Sequence, residues 1–292
     1  MDRRDFLRLL SATFAAPAPV LRAALDPLRV LPAAVADLSL LHLVGLRSPA
    51  LRSPRWCDAK LLREPAEALE ELTQAARADG IDVWARSGHR TFGQQRYLWN
   101  AKYRGHEDVR WIDGSRTTLD EAMGSEERVR RILAYTAFPG TSRHHWGTDV
   151  DIAQAYSDRC ADYLLSHVPA GDGAAVGEAA GDDPWAEAEA ECLPVQQWLA
   201  AHAQEYGWCL VYDVARGGFQ PEPWHWSYLP FAVPALARYV AEVTPDLLRD
   251  RDIDADQVVL DDFAAYRDKY LLGVHPSALP EAAPAPEPDP GT

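Results

Sequence analysis

SRHHWGTDVDIA, residues 142–153, and PWHWSYL, residues 223–229, carry the pattern that decides the fold. In the first, Gly147 marks a turn, and Thr148 to Ile152 then alternate polar and apolar, the period of a strand with one buried face. In the second, Trp224 and Trp226 fall on the face opposite His225 and read as core. Outward from these, IDVWARSG (81–88) alternates Ile81, Val83 and Ala85 with polar neighbours, and WCLVYD (208–213) reads as a further strand.

Between the strands, helical spacing recurs without regular order. Residues 64–79 carry Leu69, Leu72, Ala75 and Ala76 and stop at Gly80, and residues 92–104 place Phe92, Trp99 and Tyr103 on one stripe. Residues 125–137 do the same with Val129, Ile132, Leu133 and Thr136 before Pro139-Gly140. Residues 195–206 repeat the pattern with Val195, Trp198, Leu199 and Tyr206 and close at Gly207. Strands interleaved irregularly with helices predict an α+β fold, a single domain over residues 27–273 with a mainly antiparallel sheet flanked by helices.

Three segments fall outside that domain pattern. Residues 170–192 are rich in Gly, Ala and acidic residues with little to bury, and read as a surface insertion. From Val274 to Thr292 the chain is Pro-rich and acidic, which predicts a disordered tail. At the other end, Arg3-Arg4 precede Phe6-Leu7 and a short Ala-rich run, so residues 1–24 resemble a twin-arginine export signal and predict a periplasmic or cell-envelope location.

Composition narrows the function. Of 292 residues 47% are hydrophobic, ample for a packed core, while a formal net charge of −15 leaves no basic face for nucleic acid. No run reaches the roughly 18 apolar residues of a membrane span. The four cysteines, Cys57, Cys160, Cys192 and Cys209, lack Cys-x-x-Cys spacing, which removes them as metal ligands. Cys160 and Cys192 bracket the acidic insertion and could pin its ends as a disulfide, whereas Cys209 in an apolar run reads as a buried thiol.

A catalytic zinc keeps three protein ligands and one open position, and takes imidazole and carboxylate readily. His144 and Asp151 flank the Gly147 turn, and His225 lies on a later strand three residues after Glu222. Pro223 suits Glu222 to the loop before that strand, where it can curl over a metal held by His225.

Together these segments resemble the VanY D-alanyl-D-alanine carboxypeptidase family. Its Ser-x-His-x-x-Gly-x-Ala-x-Asp pattern matches Ser142, His144, Gly147 and Asp151, and its Glu-x-Trp-His matches Glu222, Trp224 and His225. A third element, Ser-Gly-Tyr-Arg-Ser followed by Gln, resembles Ser87, Gly88, Arg90 and Gln95. His89 stands where the family has Tyr, and Asp149 where it has Ala. The resemblance implies Zn2+ on His144, Asp151 and His225, with Asp149 a partner that orients a ligand or an alternative ligand. It implies Glu222 as general base, and Arg90 either at the developing oxyanion or on a substrate carboxylate. Gln95 and Ser142 are candidates for substrate contact or ligand support.

The implied activity is zinc-dependent removal of the terminal residue of a peptidoglycan stem peptide. The rivals are an endopeptidase that cuts within that peptide and a non-catalytic zinc-bearing wall-binding module. A serine mechanism is excluded, because the residues three before Lys60, Lys102 and Lys269 are Cys57, Trp99 and Tyr266, so no Ser-x-x-Lys exists.

Overall fold

The alternation in residues 148–152 and 223–229 becomes a pair of neighbouring antiparallel strands. In the computed structural model, which describes residues 33–55, 57–111, 116–152, 186–249 and 251–280, they are β4 (Asp149–Ile152) and β6 (His225–Tyr228). Asp149 lies opposite Ser227, Val150 opposite Trp226 and Asp151 opposite His225. Directly opposed residues share a face. Asp149, Asp151, His225 and Ser227 therefore project to one side, and Val150 and Trp226 to the other.

β1 (Ala85–Ser87) pairs with β4 and β5 (Trp208–Leu210) with β6, giving a four-stranded antiparallel sheet in the order β1-β4-β6-β5. A small ribbon, β2 (Val109–Arg110) with β3 (Arg116–Thr117), stands apart. The α+β, mainly antiparallel architecture read from the sequence is the one observed.

On the apolar side, Val150, Ile152, Trp208, Leu210 and Trp226 pack against two helices. The first, α1 (Arg63–Ala78), buries Ala66, Leu69, Leu72 and Ala76 at helical spacing and has Glu64 and Arg77 in the turns where the helix dipole favours each charge. The other is α4 (Ala186–His202), through Val195, Trp198 and Leu199. A larger cluster on the opposite side holds α2 (Phe92–Tyr103), α3 (Ser125–Ile132) and α5 (Leu229–Glu242) around Trp99, Ile132, Trp146, Leu236 and Tyr239.

Thr91 caps α2: its Oγ1 accepts from the Gln94 backbone N–H at 3.2 Å, and Gln94 Oε1 accepts from the Thr91 N–H at 2.8 Å. That box fixes the helix start two residues after Arg90. Gly147, at φ +71°, takes the left-handed turn that joins a one-turn 3-10 helix (Arg143–Trp146) to β4.

Several boundaries move. The strand expected over 81–88 contracts to Ala85–Ser87, and the one over 208–213 ends at Leu210. The helix expected over 125–137 stops at Ile132, because the next residues bend to meet α2: Gln95 Nε2 donates to the Ala137 carbonyl at 2.7 Å and Lys102 Nζ to Thr136 Oγ1 at 2.7 Å. Helix α4 begins at Ala186, inside the stretch read as insertion, and ends at His202 with a 3-10 turn following; residues 170–185 lie outside the described residues.

The predicted tail starts too early. Val274 and Ala278 are buried, and the His275 N–H donates to the Val211 carbonyl at 2.8 Å, so ordered chain reaches Pro280. The Pro content had outweighed the apolar Val274 and Leu279, which join the larger cluster. Cys57 and Cys209 are free and buried, and Cys192 is disulfide-bonded; Cys160 lies outside the described residues, as do residues 1–32 with the export motif.

Candidate active site

The polar face of β4 and β6 places Asp151 and His225 side by side, and the Gly147 turn folds His144 back onto them. His144 Nε2 and His225 Nδ1 each lie 3.4 Å from Asp151 Oδ1. A tetrahedral zinc with ligand bonds near 2.0–2.1 Å requires its donor atoms to sit roughly 3.3–3.4 Å apart. Asp151 Oδ1 is buried and has no hydrogen-bond partner, and such an orphaned carboxylate oxygen calls for a cation. Among the described residues, His144, Asp151 and His225 form the one group arranged to hold a metal ion.

Each imidazole is turned by a neighbour. His144 Nδ1 lies 2.8 Å from the Gly88 carbonyl oxygen, which only accepts, so Nδ1 carries the proton and Nε2 keeps its lone pair for a metal. His225 Nε2 lies 3.1 Å from Asp149 Oδ1, which likewise leaves Nδ1 to face Asp151. Asp149 is therefore the partner of a ligand, and its side chain is spent on others: Arg143 Nε at 2.9 Å and Thr148 Oγ1 at 2.5 Å. Burial raises the Asp149 pKa, but Arg143 and the bonds to His225 and Thr148 outweigh it and hold the carboxyl well below the usual range. Asp151 is depressed the same way, burial being outweighed by His144, His225 and Arg90.

Glu222 stands before β6, not in it. Its N–H donates to the Tyr212 carbonyl at 2.9 Å and its own carbonyl accepts from the His225 N–H at 3.0 Å, a turn that brings its Oε2 to 3.3 Å from His225 Nδ1. The strand parity that would have set Glu222 and His225 on opposite faces is thereby avoided. Burial raises the Glu222 pKa, opposed by His225. Burial lowers the His225 pKa, but its bonds to Asp149 and Glu222 dominate and push it up to about 9. So much negative charge around one imidazole is the electrostatic signature of a cation site.

Arg90 lines the same cleft as Ser142, His144, Asp151, Glu222 and His225. Gln95, by contrast, is fully buried behind it: its Oε1 accepts from Arg90 Nη1 at 2.8 Å, so it holds Arg90 and does not face the cleft. His145 completes the hold from the main-chain side, with Nδ1 2.6 Å from the Arg90 carbonyl and Nε2 accepting from the Gly140 N–H at 3.2 Å. A Cβ at Gly45, whose φ is +73°, would lie 2.4 Å from the His145 ring, so this packing requires glycine there. His89 lines a second cavity of about 570 Å³ and is not among the residues that line the cleft.

Trp224 corrects the sequence reading. It precedes β6, so strand parity does not apply; it is half-buried, lines the cleft and packs on Tyr135 with ring centroids 6.4 Å apart. Trp226 is core, as expected. Tyr212 and Arg143 were not singled out from the sequence. Tyr212, two residues beyond the end of β5 at Leu210, is buried in the larger cluster, sits edge-on to His225 at 4.9 Å and walls the cleft.

The model of the VanY family, "D-alanyl-D-alanine carboxypeptidase", matches residues 58–231, more than half of the chain. The chain belongs to that family. The VanY match contains every residue of the site. The Bacillus subtilis (strain 168) protein YodJ is 22% identical over 200 residues, 67% of this chain and 52% of YodJ, so the chain spans about half the length of this curated relative. Among solved structures, a Zn(II)-bound mutant of the vancomycin-resistance D,D-pentapeptidase VanY from a VanB-type cassette is 22% identical, with 65% of this chain and 84% of that one covered and a TM-score of 0.40. The LD-carboxypeptidase LdcB is 20% identical over 68% of this chain and 77% of its own, with a TM-score of 0.39. DacB from Streptococcus pneumoniae D39 is 19% identical over 65% and 77%, with a TM-score of 0.33. No helix among the described residues is long and apolar enough to cross a membrane.

Proposed function

We propose that the protein is a zinc-dependent carboxypeptidase that removes the terminal residue of peptidoglycan stem peptides of the D-Ala-D-Ala type. The observation that carries this reading is the convergence of His144 Nε2, His225 Nδ1 and Asp151 Oδ1 at 3.4 Å spacings, with the Glu222 carboxylate beside them. Zinc, when bound there, supplies Lewis acidity that polarises the scissile carbonyl and lowers the pKa of water.

The chain's own groups do the rest. Glu222 Oε2 accepts a proton from the attacking water and delivers it to the departing amine, and its burial favours both transfers by keeping competing water out. The Gly88 carbonyl and Asp149 orient the His144 and His225 rings so that Nε2 of the first and Nδ1 of the second face the site a metal would take. The Arg90 guanidinium, tethered by Gln95, offers a fixed positive charge either to the oxyanion that forms at the carbonyl or to the substrate's terminal carboxylate. Tyr135 and Trp224 give the cleft an aromatic wall for the peptide.

The test is incubation of purified muropeptides with the zinc-loaded protein and mass analysis of the products. Loss of a single terminal alanine is expected, whereas fragments from an internal cut would replace this reading with the endopeptidase one. Export to the envelope, where such a substrate lies, is supported by Arg3-Arg4 ahead of the Ala-rich run. Changing both to Lys should leave the protein uncut in the cytoplasm, and normal export of that variant would remove this part of the proposal.

A further inference from the structure

We infer that Arg143 and Asp149 act as one coupled unit that positions His225 as a metal ligand, with Arg143 supplying the charge that lets a carboxylate stand where the family pattern has Ala. The inference rests on the proposed metal site. Three observations carry it.

The first is that one atom does two jobs. Asp149 Oδ1 accepts from Arg143 Nε at 2.9 Å and faces His225 Nε2 at 3.1 Å, so the guanidinium and the imidazole are fixed relative to each other through a single oxygen. Its companion Oδ2 accepts from Thr148 Oγ1 at 2.5 Å. Asp149 is fully buried, and a carboxylate there is tolerated only because these donors replace water.

The second is that Arg143 is itself locked. Its Nη2 donates to Ser227 Oγ at 2.7 Å, and Ser227 is the residue opposite Asp149 across the β4–β6 ladder. Trp146 packs against the guanidinium, 4.9 Å from its centroid. Arg143 thus bridges both strands that supply ligands: β4 through Asp149 and β6 through Ser227.

The third is the position of Arg143 in the chain. It sits next to His144 on the same one-turn helix, so a single turn presents one ligand directly and orients the other through Asp149. The charge balance agrees: the Arg143–Asp149 pair is neutral, which leaves Asp151 and Glu222 as the anions that face a divalent cation. Arg143 is accordingly a positioning residue that acts on His225 through Asp149.

The experiment is a double-mutant cycle on zinc affinity, with Arg143→Met, Asp149→Ala and the double variant compared with the parent protein by chelator competition. Melting of each metal-free protein is recorded alongside. Each single variant should bind zinc on the order of 10- to 100-fold more weakly, the usual effect of losing a partner that orients a ligand. The double variant should be no weaker than Asp149→Ala, because without Asp149 the arginine has nothing to position. The visible spectrum of the cobalt-substituted proteins should shift in both single variants, a change that a purely structural loss would not produce. If a variant fails to fold, Asp149→Asn, which keeps shape but loses charge, takes its place and should weaken zinc in the same direction.

Melting temperatures that fall while zinc affinity stays within about twofold of the parent would overturn the inference. So would additive losses in the double variant. Weak zinc binding by the parent protein itself, or an Asp151→Ala variant that binds as the parent does, would instead overturn the metal site on which the inference rests.

Discussion

Val150 and Trp226 leave the β4–β6 pair on one side, Asp149 and His225 on the other, and exposure hardly separates them: 0% and 1% against 0% and 4%. What differs is how each face is held. On the first, side chains fill volume against α1 and α4, and position follows from packing. On the second, Arg143, Asp149, His225 and Ser227 are tied to one another by hydrogen bonds, and position follows from that geometry and the Asp151–His225 register. A one-residue slip of either strand would exchange the two faces, so the register that builds the core also builds the site. The apolar face should therefore govern stability and the polar face metal binding, and each can be perturbed alone.

The largest effect is expected on the polar face. Asp151→Ala, His144→Ala or His225→Ala leaves two donors where a catalytic zinc needs three, so zinc occupancy and turnover should both collapse. Metal analysis of the purified variants checks this. Retention of stoichiometric zinc by any one would remove that residue from the ligand set.

The matching cut on the apolar face is Trp226→Ala. Emptying that fully buried site should cost about 3–5 kcal/mol in urea unfolding, yet leave zinc affinity unchanged at temperatures where the variant is folded. A parallel loss of zinc affinity would show that the faces are not independent.

A smaller effect separates the two by pH. Burial lowers the His145 pKa to about 3, against 6.5 for a free imidazole, so the native state holds this ring neutral. Its contribution is complete above about pH 6.5 and is lost as pH falls toward 3, because the unfolded chain binds the proton first; at pH 5 the loss is about 2 kcal/mol. Metal-free protein should lose stability between pH 7 and pH 5, and His145→Gln should lose less by about that amount. Equal losses would contradict the assignment.

Smallest is Gln95→Ala, which frees Arg90 Nη1 without touching a ligand. Turnover should fall on the order of tenfold, with zinc content unaltered, and loss of zinc would mean that Gln95 supports the metal directly.

Much of this was legible in the sequence, for identifiable reasons. Period-two alternation gave β4 and β6, and helical stripes with glycine stops gave α1 and α2 nearly to the residue. The candidate ligands were readable through the VanY resemblance that His144, Gly147, Asp151 and His225 carry jointly, and Glu222 through the same resemblance and a Pro223 that suits it to the loop before the strand. What stayed hidden depends on distant pairing. Nothing local says that Arg143 reaches Ser227, 84 residues away, or that Gln95 turns toward Arg90 and away from the cleft. Helix α5 escaped because Pro230 and Pro234 argue against a helix, although Pro230 sits in its first turn, where proline is tolerated. Trp224 was misplaced by one assumption, that the strand had already begun.

The central claim is that Glu222 is the base beside a metal held by His144, Asp151 and His225, and Glu222→Gln tests it most directly. The amide keeps the shape of the side chain but cannot take the proton of water. Zinc content measured beside hydrolysis of a D-Ala-D-Ala-terminated peptide should stay near stoichiometric while turnover falls by about 100-fold or more. A variant that loses its zinc, or one that keeps full activity, would contradict the account.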